Sequence, residues 1–375
     1  MAINYSDFQN VALAISAYAD EAYTTSKKLN STGVVGQNDD INADGESFVG
    51  QFRWYNPLSS NINIASLSSA SDGTYTDITT EIANYVKSVR TFGSQQINMQ
   101  EVISKQDGLA KIARDFAQIR SDDEGEALMS CLKGVASSEV TLGDKGGSGN
   151  GGMIAFGTNA DAANTGFFVD INALGEFGAA ATNVATTRKL FDSTAAGAAR
   201  GERLFKAVGM AFKDYEPDFM YLVTSPEVMA EMRAANLIDQ TIVTDGNLDF
   251  QTIFAGKFRL ILTRQGQHGT FPTNDLATNG TWGSTKTSFV LKPGAITYAP
   301  VNVPTPVEVD RNAASYAGGG NTNIWYRYGM IMHPMGYDWS GATNAFASNA
   351  NYATAASWTR KMDALNLGIL PIFHG

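Results

Sequence analysis

The chain has 375 residues, 43% of them hydrophobic and only 17% charged, a balance that excludes a disordered protein and leaves room for two compact domains or one elaborated fold. A net charge of −10 and a pI near 4.8 argue against a surface that grips nucleic acid by neutralising phosphates, though not against one that encloses it. The single Cys131 excludes an intramolecular disulfide framework and fits a reducing cytosol, and with neither a basic leader nor an apolar run of about eighteen residues, no signal peptide or membrane span is expected.

Residues 1–48 form an acidic arm: Asp7, Asp20, Glu21, Asp39, Asp40, Asp44 and Glu46 face only Lys27 and Lys28. Alone, such a segment is mobile, so an ordered arm requires an anchor. Residues 49–96 read as a long hairpin, with "GQFRWYNPL" as one strand, "IANYVKSVRTFG" as the return and a low-charge Ser/Asn/Thr-rich tip between them. At roughly fifteen residues per strand and about 3.3 Å each it would reach about 50 Å. An isolated hairpin is marginal in water and no covering helix adjoins it, so it is expected to lie on another subunit.

From Met99 the apolar period becomes 3.6. Ile103, Leu109, Ile112, Ala113, Phe116 and Ile119 share one face, which Leu128, Cys131, Leu132 and Val135 resume after "SDDEG". The pattern predicts a helix over 99–136, roughly 55 Å long at about 1.5 Å per residue, with Gly108 and Gly125 as kink points. After the turn "GDKGGSGNGG" comes a mixed region from about 170 to 280. It holds a helix around 198–213 with Leu204, Phe205, Val208, Ala211 and Phe212 on one face, and a buried strand "DFMYLV". A helix over 225–239 then opens on Ser at the N-cap and Pro at the first position, and "KFRLILT" is a further strand. The alternation indicates an α/β layer. The remainder is β-rich, through "SFVLKPGAITYA" and "VPTPVEVDR" to "YRYGMIMHPMGYDW", and closes on a short helical turn and an apolar strand in "SWTRKMDALNLGILPIFHG".

No catalytic or metal-binding constellation passes a spacing test. "GSGNGG" matches the dinucleotide fingerprint in letters, but "MIAFG" after it reads as strand where a helix is required. His268, His333 and His374 are far apart, without a metal-ligand spacing, and no nucleophile elbow supports a Ser-His-Asp triad. A histidine on an apolar strand followed by proline reads as structural. No catalytic residue, cofactor or metal is therefore expected. The acidic cluster Asp122, Asp123, Glu124 and Glu126 reads as an interruption of the long helix and a solvated or ion-pairing surface. Arg53, Lys87 and Arg90, with Trp54, lie at the base of the hairpin with the opposite charge. These eight residues are the candidates for contact between subunits.

The order of elements, and several short stretches in that order, resemble the major capsid protein family of tailed bacteriophages. The stretches are "DFMYLVTSPEVMAEMRAANLID", "KPGAITYA", "VEVDR" followed by a glycine loop and "YRYGMIMHPMGYDW", and "SWTRKMDALNLGILPIF". The resemblance covers most of the chain. It implies an α+β fold with an N-terminal arm at 1–48, an E-loop hairpin at 49–96, a P-domain with a long spine helix at 97–165 and an α/β A-domain at 166–284. P-domain return strands follow at 285–345, and a C-terminal segment at 346–375 returns to the A-domain. It also implies a structural role for His333. The implied protein is not an enzyme. It assembles with copies of itself into pentamers and hexamers of an icosahedral head in the virion, is made in the host cytoplasm, and encloses double-stranded DNA without sequence-specific binding. Portal protein, and scaffolding or cement proteins, are the other implied partners; a start at Met1 directly on the arm resembles members with a separate scaffolding protein or none. The rival readings are an encapsulin-like nanocompartment shell, a hydrolase or lectin with an unrecognised site, and a tail-tube or fibre protein, against which the long amphipathic helix argues.

Overall fold

The computed structural model describes residues 33–36, 41, 47–55, 80–97, 108–144, 169–170, 202–212, 216–245, 248–262, 286–362 and 366–374. In chain order, strands β1 (Val35–Gly36), β2 (Val49–Tyr55) and β3 (Thr80–Ile97) precede helix α1 (Gly108–Asp144). Next come β4 (Val169–Asp170), α2 (Glu202–Phe212), β5 (Met220–Thr224), α3 (Pro226–Ala234), β6 (Ile238–Asp245), β7 (Leu248–Ile253) and β8 (Phe258–Leu262). The last part holds β9 (Lys286–Leu291), β10 (Ile296–Val301), β11 (Val307–Asn312), β12 (Asn321–Pro334), β13 (Tyr337–Trp339), α4 (Asn349–Tyr352), β14 (Trp358–Arg360) and β15 (Ile369–His374).

Three sheets form among the described residues: the first runs β1-β10-β12-β3-β2, with β11 also on β12, the second runs β4-β15-β9-β5-β8-β7-β6, and β13 pairs with β14 alone. The fully apolar "MYLV" of β5 lies inside the second sheet, parallel to β8 and antiparallel to β9. The last strand, β15, returns to the same sheet beside β9. Helix α3 starts as the Ser-Pro pair predicts, with the Ser225 side chain accepting from the Val228 amide. It stops at Ala234 rather than 239, because Asn236 turns left-handed at φ 54° and Leu237 N donates to Met232 O, a conformation asparagine tolerates. Helix α2 buries Leu204, Val208, Ala211 and Phe212, whereas Phe205 stays 39% exposed, its ring 4.6 Å from that of Phe254.

Helix α1 is displaced from the expected span: it runs unbroken through "SDDEG" to Asp144, while residues 99–107 lie outside the described residues. Gly108 is its first residue and Gly125 is buried within it. At 37 residues it is about 55 Å long. The acidic run does not interrupt the helix, because its carboxylates fall on different faces. Asp122 and Glu126 point outward, while Glu124 is 1% exposed and in register with the apolar stripe Leu128, Cys131, Leu132 and Val135. That stripe belongs to one continuous core with α2, both large sheets and the C-terminal aromatics.

The arm has its anchor within the chain. Val35 and Gly36 pair in parallel with Ile296 and Thr297 of β10, and Val34 and Ile41 are buried. The base of the hairpin, expected to lack a covering element of its own chain, is seated on Ile41 and Ile331. β2 pairs with β3 over Val49–Val86 to Tyr55–Thr80, and from Lys87 to Ile97 the same strand β3 continues into the body of the sheet, paired with β12. The tip, 56–79, and the glycine turn 145–152 with "MIAFG" lie outside the described residues.

Helix α1 meets the C-terminal segment without clearance. A Cβ on Gly134 would fall on the Tyr352 carbonyl oxygen and the Trp358 indole nitrogen, which are themselves hydrogen-bonded at 2.8 Å. Ser138 Oγ donates to Trp358 O at 2.7 Å. The next residue, Glu139, is fully buried, accepting from Tyr337 OH at 3.0 Å and pairing with Arg360 Nη1 at 3.0 Å. Burial, with the Glu139 charge beside it, pushes the Tyr337 phenol well above its ordinary pKa, so it stays a donor. Two outcomes are expected in denaturant unfolding of the purified protein. Gly134→Ala should lose about 1–3 kcal/mol by overpacking, and Glu139→Gln about 3 kcal/mol by leaving a buried guanidinium without its anion.

Candidate assembly site

Alternation along β2 and β3 gives the hairpin base two unlike faces. Phe52, Ala83 and Tyr85 bury against Ile41 and Ile331, with Trp54 half-buried and its ring 5.4 Å from that of Phe52. The opposite face carries Arg53, Tyr55 and Ile82, with Arg53 directly across from Ile82. Tyr55 is 73% exposed and Ile82 39%, and Arg53 is exposed as well. A cation flanked by an aromatic and an aliphatic side chain on one open strand face suits burial against a partner surface.

The other sequence candidates are distributed differently. Arg90 and Asp123 do meet, Nε to Oδ2 at 3.5 Å, but within one chain. Arg90 Nη2 also donates to Asn349 Oδ1 at 2.6 Å, and Tyr328 OH donates to Asp123 Oδ2 at 2.7 Å. Glu124 accepts from Tyr298 OH at 3.0 Å and pairs with Arg120 Nε at 3.1 Å; Arg120 Nη1 donates to Tyr326 OH at 3.1 Å. Burial, then the Asp123 charge, raises the Tyr328 phenol far above its ordinary range. The complementarity of basic hairpin and acidic helix is thus satisfied internally for Arg90 and Asp123. Lys87 is buried at 6% exposure beside the hairpin base. Arg53, Asp122 and Glu126 remain on the surface, Asp122 accepting from Gln118 Nε2 at 2.9 Å.

Sequence reasoning missed Arg120, Glu139, Tyr298, Tyr328, Tyr337 and Arg360. A signal existed for two of the carboxylates, since Glu124 and Glu139 keep the 3- and 4-residue spacing of an otherwise apolar stripe. Their tyrosines come from strands far along the chain.

His333 lies 1% exposed between Phe52 and Trp358. A Ser–His contact does occur, Ser288 Oγ to His374 Nε2 at 2.9 Å, with Thr224 Oγ1 3.0 Å from Ser288. All three side chains are fully buried between paired strands, where no substrate reaches the hydroxyl. No group of three or more His, Cys, Asp or Glu among the described residues could hold a metal ion, and no helix among them is long and apolar enough to cross a membrane.

No protein-family model matches the chain, and no curated protein sequence does. Solved structures do. The cyanophage Pam1 capsid asymmetric unit matches at 12% identity and a TM-score of 0.52, covering 94% of this chain and 92% of that one. The capsid of Ralstonia phage GP4 matches at 11% identity and a TM-score of 0.50, covering 92% and 88%. Agreement over nearly the whole of both chains, at such low identity, is agreement of fold: the chain has the α+β fold of phage capsid subunits, as its sequence resemblance implies.

Proposed function

We propose that the chain is the structural shell subunit of a tailed-phage head, assembling with its own copies into hexamers and pentamers that enclose double-stranded DNA in the virion. The observation that carries this reading is the end-to-end match to capsid subunits, 94% of this chain on 92% of the other, which leaves little of the chain for another activity. On this reading the hairpin is the E-loop, α1 the spine of the P-domain, and the seven-stranded sheet with α2 and α3 the A-domain. Portal protein, and scaffolding or cement proteins, are its further partners.

The physics of the subunit supports the role. Closed five- and six-fold rings need heterologous contacts, in which unlike surfaces meet, and obligate interfaces bury on the order of 2,000 Å² or more. The open hairpin face with Arg53, Tyr55 and Ile82 provides one such surface, and the outward carboxylates Asp122 and Glu126 provide acceptors of opposite charge. A net charge of −10 keeps an inner wall from adhering to packaged DNA. The role requires no turnover, cofactor or metal.

Electron microscopy and sedimentation of the protein, expressed alone and together with the head proteins encoded beside it, test the reading. Closed shells or rings of five and six subunits are expected. A compact monomer under both conditions contradicts it. Charge reversal in Arg53→Glu should weaken assembly several-fold while leaving the subunit's melting temperature unchanged; assembly at wild-type level removes Arg53 from the interface.

A further inference from the structure

His333 is buried at the place where the hairpin leaves the body of the sheet. Its ring is 1% exposed, with Phe52 of β2 edge-on at 5.0 Å and Trp358 of β14 at 5.9 Å. Neither ring nitrogen has a side-chain hydrogen-bond partner among the described residues, and the one polar group acting on the ring there is the Tyr337 backbone. Thr297, its register partner on β10, donates its hydroxyl to Met335 Sδ at 3.1 Å.

Among the described residues, the carboxylates on the surrounding elements are Glu81, Asp338 and Glu139, and none of them hydrogen-bonds to the His333 ring. On β3, Glu81, Tyr85 and Lys87 share the face that packs toward His333, and Lys87 opposes Ile331 in register. On β13, Tyr337 donates to Glu139 and Asp338 accepts from Asn84 N at 2.7 Å. On β14, Arg360 pairs with Glu139. The charge of β2, Arg53, lies on its open face, and Tyr298 of β10 bonds to α1.

We propose that His333 is an acid-sensitive wedge: once protonated, its imidazole leaves the junction, and β2 with the outer half of β3 loosens from β12 and β14. The consequence is local opening of the hairpin base, the element that carries Arg53, Tyr55 and Ile82. Closed, the ring is held to a pKa of about 3 by burial, against a smaller opposing pull from the Tyr337 backbone. Opened, it regains the ordinary value of about 6.5. Between those values the open state carries one more proton, so opening becomes about tenfold more favourable per pH unit of acidification; above about 6.5 the effect is absent. The device belongs to the subunit itself and holds whatever the subunit assembles into.

Hydrogen exchange of the purified protein from about pH 7 to 4.5, corrected for intrinsic rates, tests it. Opening at Val49–Tyr55 should rise about tenfold per unit below about 6.5, ahead of the seven-stranded sheet, and His333→Phe should flatten that rise. Because the variant keeps Asp123, Glu124 and Glu139, an unchanged profile assigns the acid response to carboxylates and overturns the proposal. Should the variant misfold, ring-labelled wild-type protein gives an independent answer, with only three histidines to assign. A His333 ring that titrates only as the hairpin amides lose protection supports the wedge. One that titrates near 6.5 with the hairpin still protected overturns it.

Discussion

Three carboxylates on one long helix, each bonded to a phenol and paired with a guanidinium, hold this molecule in register. Asp123 takes Tyr328 and Arg90, Glu124 takes Tyr298 and Arg120, and Glu139 takes Tyr337 and Arg360. The phenols come from β12, β10 and β13, so α1 is tied to two inner strands of the six-stranded sheet and to the segment that follows them. Buried ion pairs add little net stability over a packed apolar contact. Their consequence here is geometric: sliding or turning the helix breaks all three sets together, and breaking those of Glu124 and Glu139 strands a buried charge. Gly134 completes the constraint, since only a residue without a side chain lets α1 approach Tyr352 and Trp358 so closely.

The hairpin depends on that frame. Strand β3 is long enough to belong to both the body and the hairpin of one sheet, pairing with β12 from Lys87 onward and with β2 before it. The part within the body is fixed by the strand ladder and by Ser88, which donates to Ala347 O at 2.7 Å. The part beyond it has one face seated on Ile41 and Ile331 and another left open. A rigid body carrying a two-faced projection meets the needs of a subunit that must bond to non-equivalent neighbours.

Much of the fold is legible in the sequence, for reasons specific to each element. Strand β5 is uniformly apolar because it is covered on both faces, and α3 carries its start signal in Ser225 and Pro226. The apolar stripe on α1 is written at the helical period. The boundaries are not so written: the left-handed turn at Asn236 ends α3 early, and "SDDEG" looks like a break until Glu124 is found buried. Of the assembly candidates, Arg53 is where alternation along β2 puts it, on the surface. Arg90 and Asp123 are complementary as expected, yet they satisfy each other inside one chain, since their separation in sequence says nothing about whether one subunit can bring them together. The tyrosine partners were invisible because they depend on strand pairings up to 206 residues distant.

The capsid reading and the internal frame meet in one physical claim: helix α1 and strand β12 behave as a single rigid unit on which the rest of the subunit is mounted. Native-state hydrogen exchange of the purified subunit at neutral pH measures this directly. The account predicts that the slowest amides lie in residues 127–139 of α1 and 326–333 of β12, with opening free energies equal to each other and to global unfolding. Exchange in α1 that is orders of magnitude faster than in β12 would show that the helix opens alone, and would contradict the claim.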